Sequence, residues 1–356
     1  MQINIERNTA PKQKPNPDEL GFGRHFSDHM FLMDYHTSKG WHNARIIPYQ
    51  PLSLDPSSTV FHYGVEIFEG MKAYRTKNGD VQLFRPYENA KRFNRSAERM
   101  TLPHLDEELF VQAVETLVDL DKEWVPSKEG TSLYIRPFMF ANDAFLGVHT
   151  ADSATFIVIT SPSGAYYKEG LNPVKIMIET EDVRAVRGGT GFTKCGGNYA
   201  GSLRAGERAG KMGYSQVLWL DGIERKYIEE VGAMNVMFKI GDTIVTPPLE
   251  GTVLAGITRM SILSLLSEQG IKVEERKISV DELIESIKNG SLQEAFGCGT
   301  AAVVSPIGTL RYKDVDYQIQ DGGIGELTQS LYNTLTEIQW GDREDTMKWT
   351  YPVGRK

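Results

Sequence analysis

Apolar residues recur every three or four positions in several stretches of the chain, as they do along one face of a helix. The first such stretch begins at Pro86, which suits a first helical position, and reaches Met100. Ser279 and Glu282 form a capping box that predicts the start of another helix. The spacing of apolar residues predicts four more helices. One begins near Asp106, and the other three cover residues 198–211, 257–269 and 326–340.

Strands are predicted between these helices, in runs rich in β-branched and aromatic residues. They cover residues 133–140, 155–160, 216–220, 236–240 and 243–246, and a further strand begins near Val174. Two turns, 221–222 and 241–242, combine Asp and Gly as hairpin turns do. Because strands, hairpins and helices are interspersed without strict alternation, the pattern predicts an α+β fold rather than a doubly wound parallel sheet.

The best candidate for a domain boundary is the stretch 161–170, which combines turn residues with two tyrosines. The length of 356 residues suggests two domains at roughly 150 residues each. We therefore expect a small N-terminal domain of residues 1–163, a linker of residues 164–173 and a larger C-terminal domain of residues 174–356.

Composition narrows the class of protein. The net charge is −8, and no long Lys/Arg cluster offers a surface for nucleic acid or an anionic membrane. No segment approaches the roughly 20 apolar residues of a membrane helix, and the polar N-terminus lacks a signal core. Cys195 and Cys298 lack C-x-x-C spacing, which argues against a disulfide framework or structural zinc. We expect a cytoplasmic protein that acts on small molecules and holds no metal.

Two glycine-rich segments resemble nucleotide-binding loops only superficially. The segment 188–194 has Thr193 where a phosphate loop needs glycine, and Cys195 where it needs Ser or Thr. Residues 297–302 fit G-x-G-x-x-A, but a further strand-like run follows instead of a helix. Neither segment supports a nucleotide site.

Lys194 lies among glycines just before a helix start, where the backbone can pass close to a flat ligand. A lysine that forms an imine needs a carboxylate for the coenzyme ring and a separate phosphate site. Glu229 or Glu230 at a strand end offers the first, and the helix start at Ile257 and Thr258 offers the second. Taken singly, these features are an ordinary loop lysine, a surface acid pair and a capped helix.

Together, the order of these elements resembles the class IV pyridoxal-phosphate aminotransferases. The match covers E-x-G-x-x-N at residues 230–235 and L-x-G-I-x-R at residues 254–259, with Met237 where the family usually has an aromatic residue. Six blocks, 62–73, 83–86, 133–137, 188–199, 216–219 and 296–301, resemble the branched-chain amino-acid aminotransferases. The resemblance implies a two-domain fold of type IV with the coenzyme between the domains.

The resemblance also implies how the residues bind pyridoxal 5'-phosphate. Lys194 forms the Schiff base and later moves the substrate proton, and Glu230, with Glu229 as the rival acid, contacts the ring nitrogen. Tyr199 contacts the phenolate oxygen of the ring. The phosphate is held by Arg92, the N–H groups of Ile257 and Thr258, and the hydroxyl of Thr300. Arg95 and Arg99 lie on the same predicted helix as Arg92, and only the family motif chooses among the three.

Substrate residues are expected from both spacing and resemblance. Tyr134 and Arg136 are two apart on a predicted strand and so face the same way, which suits the side-chain carboxylate of glutamate. A structural strand arginine is the alternative. The resemblance places Phe22, Tyr63 and Phe68 in an aromatic pocket for aliphatic side chains, although aromatic residues are more often core. It places Thr300 and Ala301 at the substrate α-carboxylate.

The predicted activity is transamination of L-leucine, L-isoleucine and L-valine with 2-oxoglutarate by a ping-pong mechanism, in a homodimer. The alternatives within the class are a D-amino-acid aminotransferase, an amine transaminase and an aminodeoxychorismate lyase. A protein that binds the coenzyme without catalysis is the alternative outside the class.

Overall fold

The chain divides into two units, each built around its own sheet. The computed structural model describes residues 1–164, 166 and 171–354. The first unit comprises residues 1–166, 193–196 and 337–356, and the second comprises residues 167–192 and 197–336. The change between them falls within the predicted linker 164–173, of which residues 165 and 167–170 lie outside the described residues, so the predicted domain limits stay a prediction. Lys194 belongs to the first unit.

The sheet of the first unit contains nine strands in the described residues, in the order β1-β3-β2-β8-β7-β5-β6-β18, and β4 pairs with β7 as well. Neighbouring strands in this order run antiparallel, except that β1 is parallel to β3. The strands are β1 (Asn4–Ile5), β2 (His29–His36), β3 (Gly40–Pro48), β4 (Glu66–Phe68), β5 (Met71–Arg75), β6 (Val81–Phe84), β7 (Ser132–Ala141), β8 (Ser153–Ser163) and β18 (Thr350–Pro352), and the helices are α1 (Thr59–Tyr63), α2 (Pro86–Arg99) and α3 (Glu107–Leu120).

The helices α2 and α3 form where the apolar spacing predicts them. Pro86 lies in the first turn of α2, and the Asp106 side chain caps α3 by accepting the Leu109 N–H at 3.0 Å. Their apolar faces are buried with the sheet in one core, which contains Phe31, Phe93, Phe110 and Phe156. The clustered rings fix α2 against the sheet, and α2 carries Arg92.

The second unit also contains nine strands in the described residues, ordered β11-β10-β9-β16-β15-β12-β13-β14, and β17 pairs with β16. Parallel and antiparallel pairs are mixed in this sheet. The strands are β9 (Val174–Ile178), β10 (Gln216–Leu220), β11 (Ile228–Val231), β12 (Asn235–Ile240), β13 (Thr243–Thr246), β14 (Lys272–Glu275), β15 (Leu292–Gly299), β16 (Val303–Tyr312) and β17 (Val315–Gln318), and the helices are α4 (Gly196–Ala200), α5 (Leu203–Lys211), α6 (Ile257–Glu268), α7 (Val280–Lys288) and α8 (Glu326–Trp340). The first residue of α4 and the residues of α8 from 337 onward belong to the first unit.

One predicted helix is wrong as a single element. Residues 198–211 form parts of two helices, α4 and α5, which are interrupted at Gly201 and Ser202. The Ser202 hydroxyl donates to the Tyr199 carbonyl at 2.6 Å and so satisfies an acceptor at the end of α4. The capping box is confirmed, because the Ser279 hydroxyl accepts the Glu282 N–H at 3.1 Å.

Three further features bear on function. None of the helices in the described ranges is long and apolar enough to cross a membrane. The same residues contain no group of three or more His, Cys, Asp or Glu placed to hold a metal ion. Cys195 and Cys298 are buried free thiols, and burial raises the pKa of Cys298 to about 12.

Candidate active site

The backbone around Lys194 is held by β4 and α2 in the first unit. The Phe68 N–H donates to the Lys194 carbonyl at 2.9 Å, and the Lys194 N–H donates to Ser96 Oγ at 3.0 Å. The Gly196 N–H donates to the Glu66 carboxylate. Because these partners lie on a strand and a helix, the lysine side chain starts from a fixed backbone.

Lys194 and Arg136 both contact the Phe68 ring. Lys194 Nζ lies 4.6 Å from the ring centroid, and Arg136 Cζ lies 4.7 Å from it. Tyr134 and Arg136 share one face of β7, as their spacing predicts, and Arg136 Nη2 donates to Tyr134 Oη at 3.0 Å. Phe22 packs edge-on against the Tyr134 ring, with centroids 4.8 Å apart. The first unit therefore groups one amine, one guanidinium, one phenol and two apolar rings.

Arg92 forms a buried bidentate ion pair with Glu69. Its Nε and Nη2 donate to the two carboxylate oxygens at 2.7 and 2.8 Å, and Asn89 Nδ2 donates to the same carboxylate at 2.7 Å. Burial by itself would raise the pKa of Glu69, but the Arg92 and Lys194 charges and these hydrogen bonds outweigh it and hold that pKa below its usual value. Arg95 and Arg99 are exposed, so burial distinguishes Arg92 from both.

Tyr63 takes part in a different set of contacts. Its hydroxyl donates to the Leu146 carbonyl, and its ring lies near His62. Tyr63 is 41% exposed and Phe22 is 53% exposed, so the contacts and not the exposure separate the two residues. The structure therefore places Phe22 and Phe68 with Arg136, but Tyr63 with an exposed apolar region.

Glu230 is the centre of a polar network in the second unit. Its Oε1 accepts the Leu254 N–H at 2.8 Å and the Asn235 amide at 3.4 Å, and Arg184 Nε lies 3.1 Å from Oε2. Glu230 is only 3% exposed. A buried carboxylate in this setting is held by charge-assisted hydrogen bonds.

Glu229 has different surroundings from Glu230. Successive side chains alternate across a strand, so these neighbours on β11 point to opposite faces. Burial raises the pKa of Glu229 although the Thr252 hydroxyl and the Arg184 charge oppose this shift. It is Glu230 that is hydrogen-bonded to Asn235 and Leu254, which lie in the motifs that carry the resemblance.

The start of α6 leaves backbone donors for an anion. Its N-cap residue, Gly256, supplies no side-chain cap, so the first N–H groups, including those of Ile257 and Thr258, meet no capping side chain. Thr300 and Ala301 lie in the turn between β15 and β16. Cys298 at the end of β15 interacts electrostatically with Glu230 and Arg259, which brings that strand end close to the network.

Tyr199 lies half-buried on α4. It belongs to the second unit, whereas Lys194 belongs to the first. Its predicted contact with the coenzyme stays a prediction.

Sequence reasoning missed the residues that support these groups. Glu69 and Glu66 lie inside the matched block 62–73 but received no role, and their positions beside Phe68 were the available signal. Arg184 and Ser96 gave no local signal, because each acts on a residue far along the chain.

Comparison with known proteins identifies the family. Residues 66–310 match the amino-transferase class IV family. The chain is 53% identical to branched-chain-amino-acid aminotransferase 2 of Bacillus subtilis strain 168, over 99% of this chain and 97% of that protein. The solved branched-chain amino acid aminotransferase of Escherichia coli has a TM-score of 0.77 at 26% identity, covering 92% of this chain and 99% of that one. The T.th. branched-chain amino acid aminotransferase, solved in complex with N-(5'-phosphopyridoxyl)-L-glutamate, has a TM-score of 0.75 at 26% identity, covering 90% of this chain and 98% of that one.

The chain therefore belongs to the class IV aminotransferases and, within that class, to the branched-chain-amino-acid aminotransferase family. The α+β fold and the family predicted from the sequence are confirmed.

Proposed function

We propose that this chain transfers the amino group of L-leucine, L-isoleucine and L-valine to 2-oxoglutarate in a ping-pong cycle that depends on pyridoxal 5'-phosphate. Branched-chain transamination and the coenzyme follow from the family. The three amino acids, the oxo acid and the order of the steps are the proposal. The observation that carries it is the Phe68 ring, which has Lys194 Nζ and the Arg136 guanidinium at 4.6 and 4.7 Å from its centroid.

The donor chemistry of each unit fits pyridoxal phosphate. Glu230 is a buried carboxylate of the kind that pairs with a protonated ring nitrogen, and the uncapped N–H groups of Ile257 and Thr258 suit a phosphate. Arg92 adds a buried guanidinium, whose charge Glu69 balances. We assign Thr300 to the phosphate and Tyr199 to the ring oxygen on the resemblance alone. When bound, the coenzyme supplies an electron sink for the carbanion left when the substrate Cα loses its proton.

Lys194 is the residue that we assign to proton transfer. The neutral amine of Lys194 can take the proton from the substrate Cα as a general base. The bonds from Phe68 and Ser96 fix the backbone from which this side chain extends, so little orientation remains to be gained during the reaction.

The same pocket must accept an aliphatic side chain and a carboxylate. We assign the carboxylate of glutamate or 2-oxoglutarate to the Arg136 guanidinium and the Tyr134 hydroxyl, which are already hydrogen-bonded to each other. The rings of Phe22 and Phe68 offer apolar surface to leucine. Thr300 and Ala301 are assigned to the α-carboxylate that all substrates share.

The half-reaction with leucine tests the proposal. L-leucine without any oxo acid should convert the yellow form of the purified holoenzyme to the pyridoxamine form and release 4-methyl-2-oxopentanoate. The variant Lys194→Ala should lose at least about 1,000-fold in turnover, because the proton-transfer base is gone. Bleaching by D-amino acids instead would favour another enzyme of the class, and a yellow protein that leucine leaves unchanged would favour a carrier.

Arg136→Ala tests the assignment of the second substrate. It should raise KM for 2-oxoglutarate about 100-fold, which corresponds to about 3 kcal/mol, while KM for leucine changes by less than about threefold. An equal rise in KM for 2-oxoglutarate and for leucine would contradict the role proposed for Arg136.

We also propose that the enzyme is a homodimer located in the cytoplasm. The first unit exposes a set of apolar side chains around Tyr63 that are 41–82% exposed, namely Phe61, Tyr63, Phe145, Leu146 and Val148. A second copy seated there would bury them, and Tyr63 would then contribute to the pocket of that copy. Sedimentation velocity of the holoenzyme should give twice the mass of one chain.

A further inference from the structure

A carboxylate beside the Lys194 segment has no role in the proposed chemistry. Glu66 and Phe68 are two apart on β4, so their side chains share one face of that strand. Phe68 is the ring that contacts both Lys194 and Arg136. Glu66 therefore lies beside the functional cluster of the first unit.

Glu66 binds the Lys194 segment through one backbone donor. Its Oε1 accepts the Gly196 N–H, and a Cβ added at Gly196 would lie 2.4 Å from that same oxygen. Glycine at this position thus leaves space that the carboxylate fills. Together with the Phe68 N–H bond to the Lys194 carbonyl, β4 holds the segment on both sides of Cys195.

Glu66 also interacts electrostatically with Arg136. Burial raises the pKa of Glu66, while the Gly196 hydrogen bond and the Arg136 charge oppose that shift. The guanidinium that stacks on Phe68 is therefore already partly compensated by an acid on the same face. A substrate carboxylate must compete with that acid for the attraction of Arg136.

We propose that Glu66 is a positioning and specificity residue: its carboxylate oxygen fixes the Lys194 segment, and its charge weakens the attraction of Arg136 for the dicarboxylate substrate. The second part rests on the proposed role of Arg136. The weakening lets one pocket release glutamate and accept leucine in turn.

Two substitutions separate the effect of the Glu66 carboxylate oxygen as a hydrogen-bond acceptor from the effect of its negative charge. Glu66→Gln keeps an acceptor for the Gly196 N–H but removes the charge, whereas Glu66→Ala removes both. In the holoenzyme at pH 8, Glu66→Gln should keep kcat for leucine within about twofold and lower KM for 2-oxoglutarate about threefold to tenfold. Glu66→Ala should lower kcat about tenfold or more. Glu98→Gln, on the exposed face of α2, is the matched control and should change neither constant.

The outcomes are distinct. Equal kcat values for Glu66→Gln and Glu66→Ala would overturn the positioning role. An unchanged KM for 2-oxoglutarate in Glu66→Gln would overturn the charge effect, and so would a lowered KM that persists when Arg136→Ala is added. If Arg136→Ala alone leaves 2-oxoglutarate binding unchanged, the proposed second-substrate site fails together with the charge effect, while the kcat comparison still tests the positioning role. If Glu66→Ala does not fold, a more than tenfold loss of kcat in Glu66→Gln also overturns the positioning role.

Discussion

Each unit contains a buried Arg–Glu ion pair, but the member of the pair that we propose for the coenzyme is the arginine in the first unit and the glutamate in the second. In the first, Arg92 is proposed to face the coenzyme and Glu69 supports it; in the second, Glu230 is proposed to face it and Arg184 supports it. An asparagine amide contacts the carboxylate in both, at 2.7 and 3.4 Å. In this proposal, the same three residue types present a cation to the ligand in the first unit and an anion in the second.

The two networks differ in how many bonds the arginine makes to the carboxylate. Arg92 and Glu69 make two parallel bonds, while Arg184 makes one close approach to Glu230. Both carboxylates also accept a backbone N–H, from Gly70 at 3.1 Å and from Leu254 at 2.8 Å. Removing one partner of a buried pair leaves the other charge uncompensated, and the loss is larger where two bonds are broken than where one is. We therefore expect the first unit to depend on its pair for stability, and the second for ligand binding.

The largest expected effect comes from Glu69→Ala. It leaves the Arg92 guanidinium buried without this carboxylate and should lower the free energy of unfolding of the first unit by about 3–5 kcal/mol in urea denaturation. Glu88→Ala removes a more exposed pair with Lys91 on the same helix and should cost less than about 1 kcal/mol. Similar losses for both variants would show that the buried pair is not special.

A smaller effect is expected from Arg184→Met in the second unit. Glu230 would keep its Leu254 and Asn235 donors but lose the cation, so we expect the Kd for pyridoxal phosphate to rise about tenfold, or about 1.4 kcal/mol, in an absorbance titration. Arg187→Met removes an exposed pair with Glu250 and should leave this Kd within about twofold. A tighter complex in Arg184→Met would contradict the comparison.

The smallest effect concerns a cation whose pKa is set by burial. Burial lowers the pKa of Lys72 from 10.5 to about 8, so between those values the unfolded chain binds a proton that the folded chain does not. Stability due to this residue therefore rises with pH across that interval. Lys72→Met should be about 1 kcal/mol more stable than the parent at pH 7.5, and the gap should close by pH 10.5.

Chemical denaturation at both pH values checks this prediction. Lys39→Met, at an exposed position, is the control and should show no such change with pH. A constant gap for Lys72→Met would mean that packing, not charge, causes the difference.

Local signals predicted much of the fold. The last helix covers residues 326–340 as its apolar spacing predicts, and Ser279 begins α7 through its own side chain. The spacing of Tyr134 and Arg136 predicted their common face. These features depend on residues a few positions apart, and the sequence displays such relations directly.

Interactions between residues far apart in the sequence could not be predicted. Arg184 reaches Glu230, and Glu69 reaches Arg92, only after the sheets have formed. The break at Gly201 and Ser202 was not predicted because both residues are tolerated in helices, and the backbone that ends α4 before them and begins α5 after them is visible only in the structure. Partners of this kind are set by tertiary structure, and local pattern does not contain them.

The Asn235 side chain couples the start of α6 to the acid on β11. A Cβ added at Gly256 would lie 2.0 Å from Asn235 Oδ1, while the amide group of the same side chain contacts the Leu254 carbonyl and Glu230. A side chain at Gly256 would therefore displace Asn235 and disturb its contacts with Leu254 and Glu230. The helix start that we propose for the phosphate and the acid on β11 thus act as one mechanical unit, and a side chain added at the first would disturb the second.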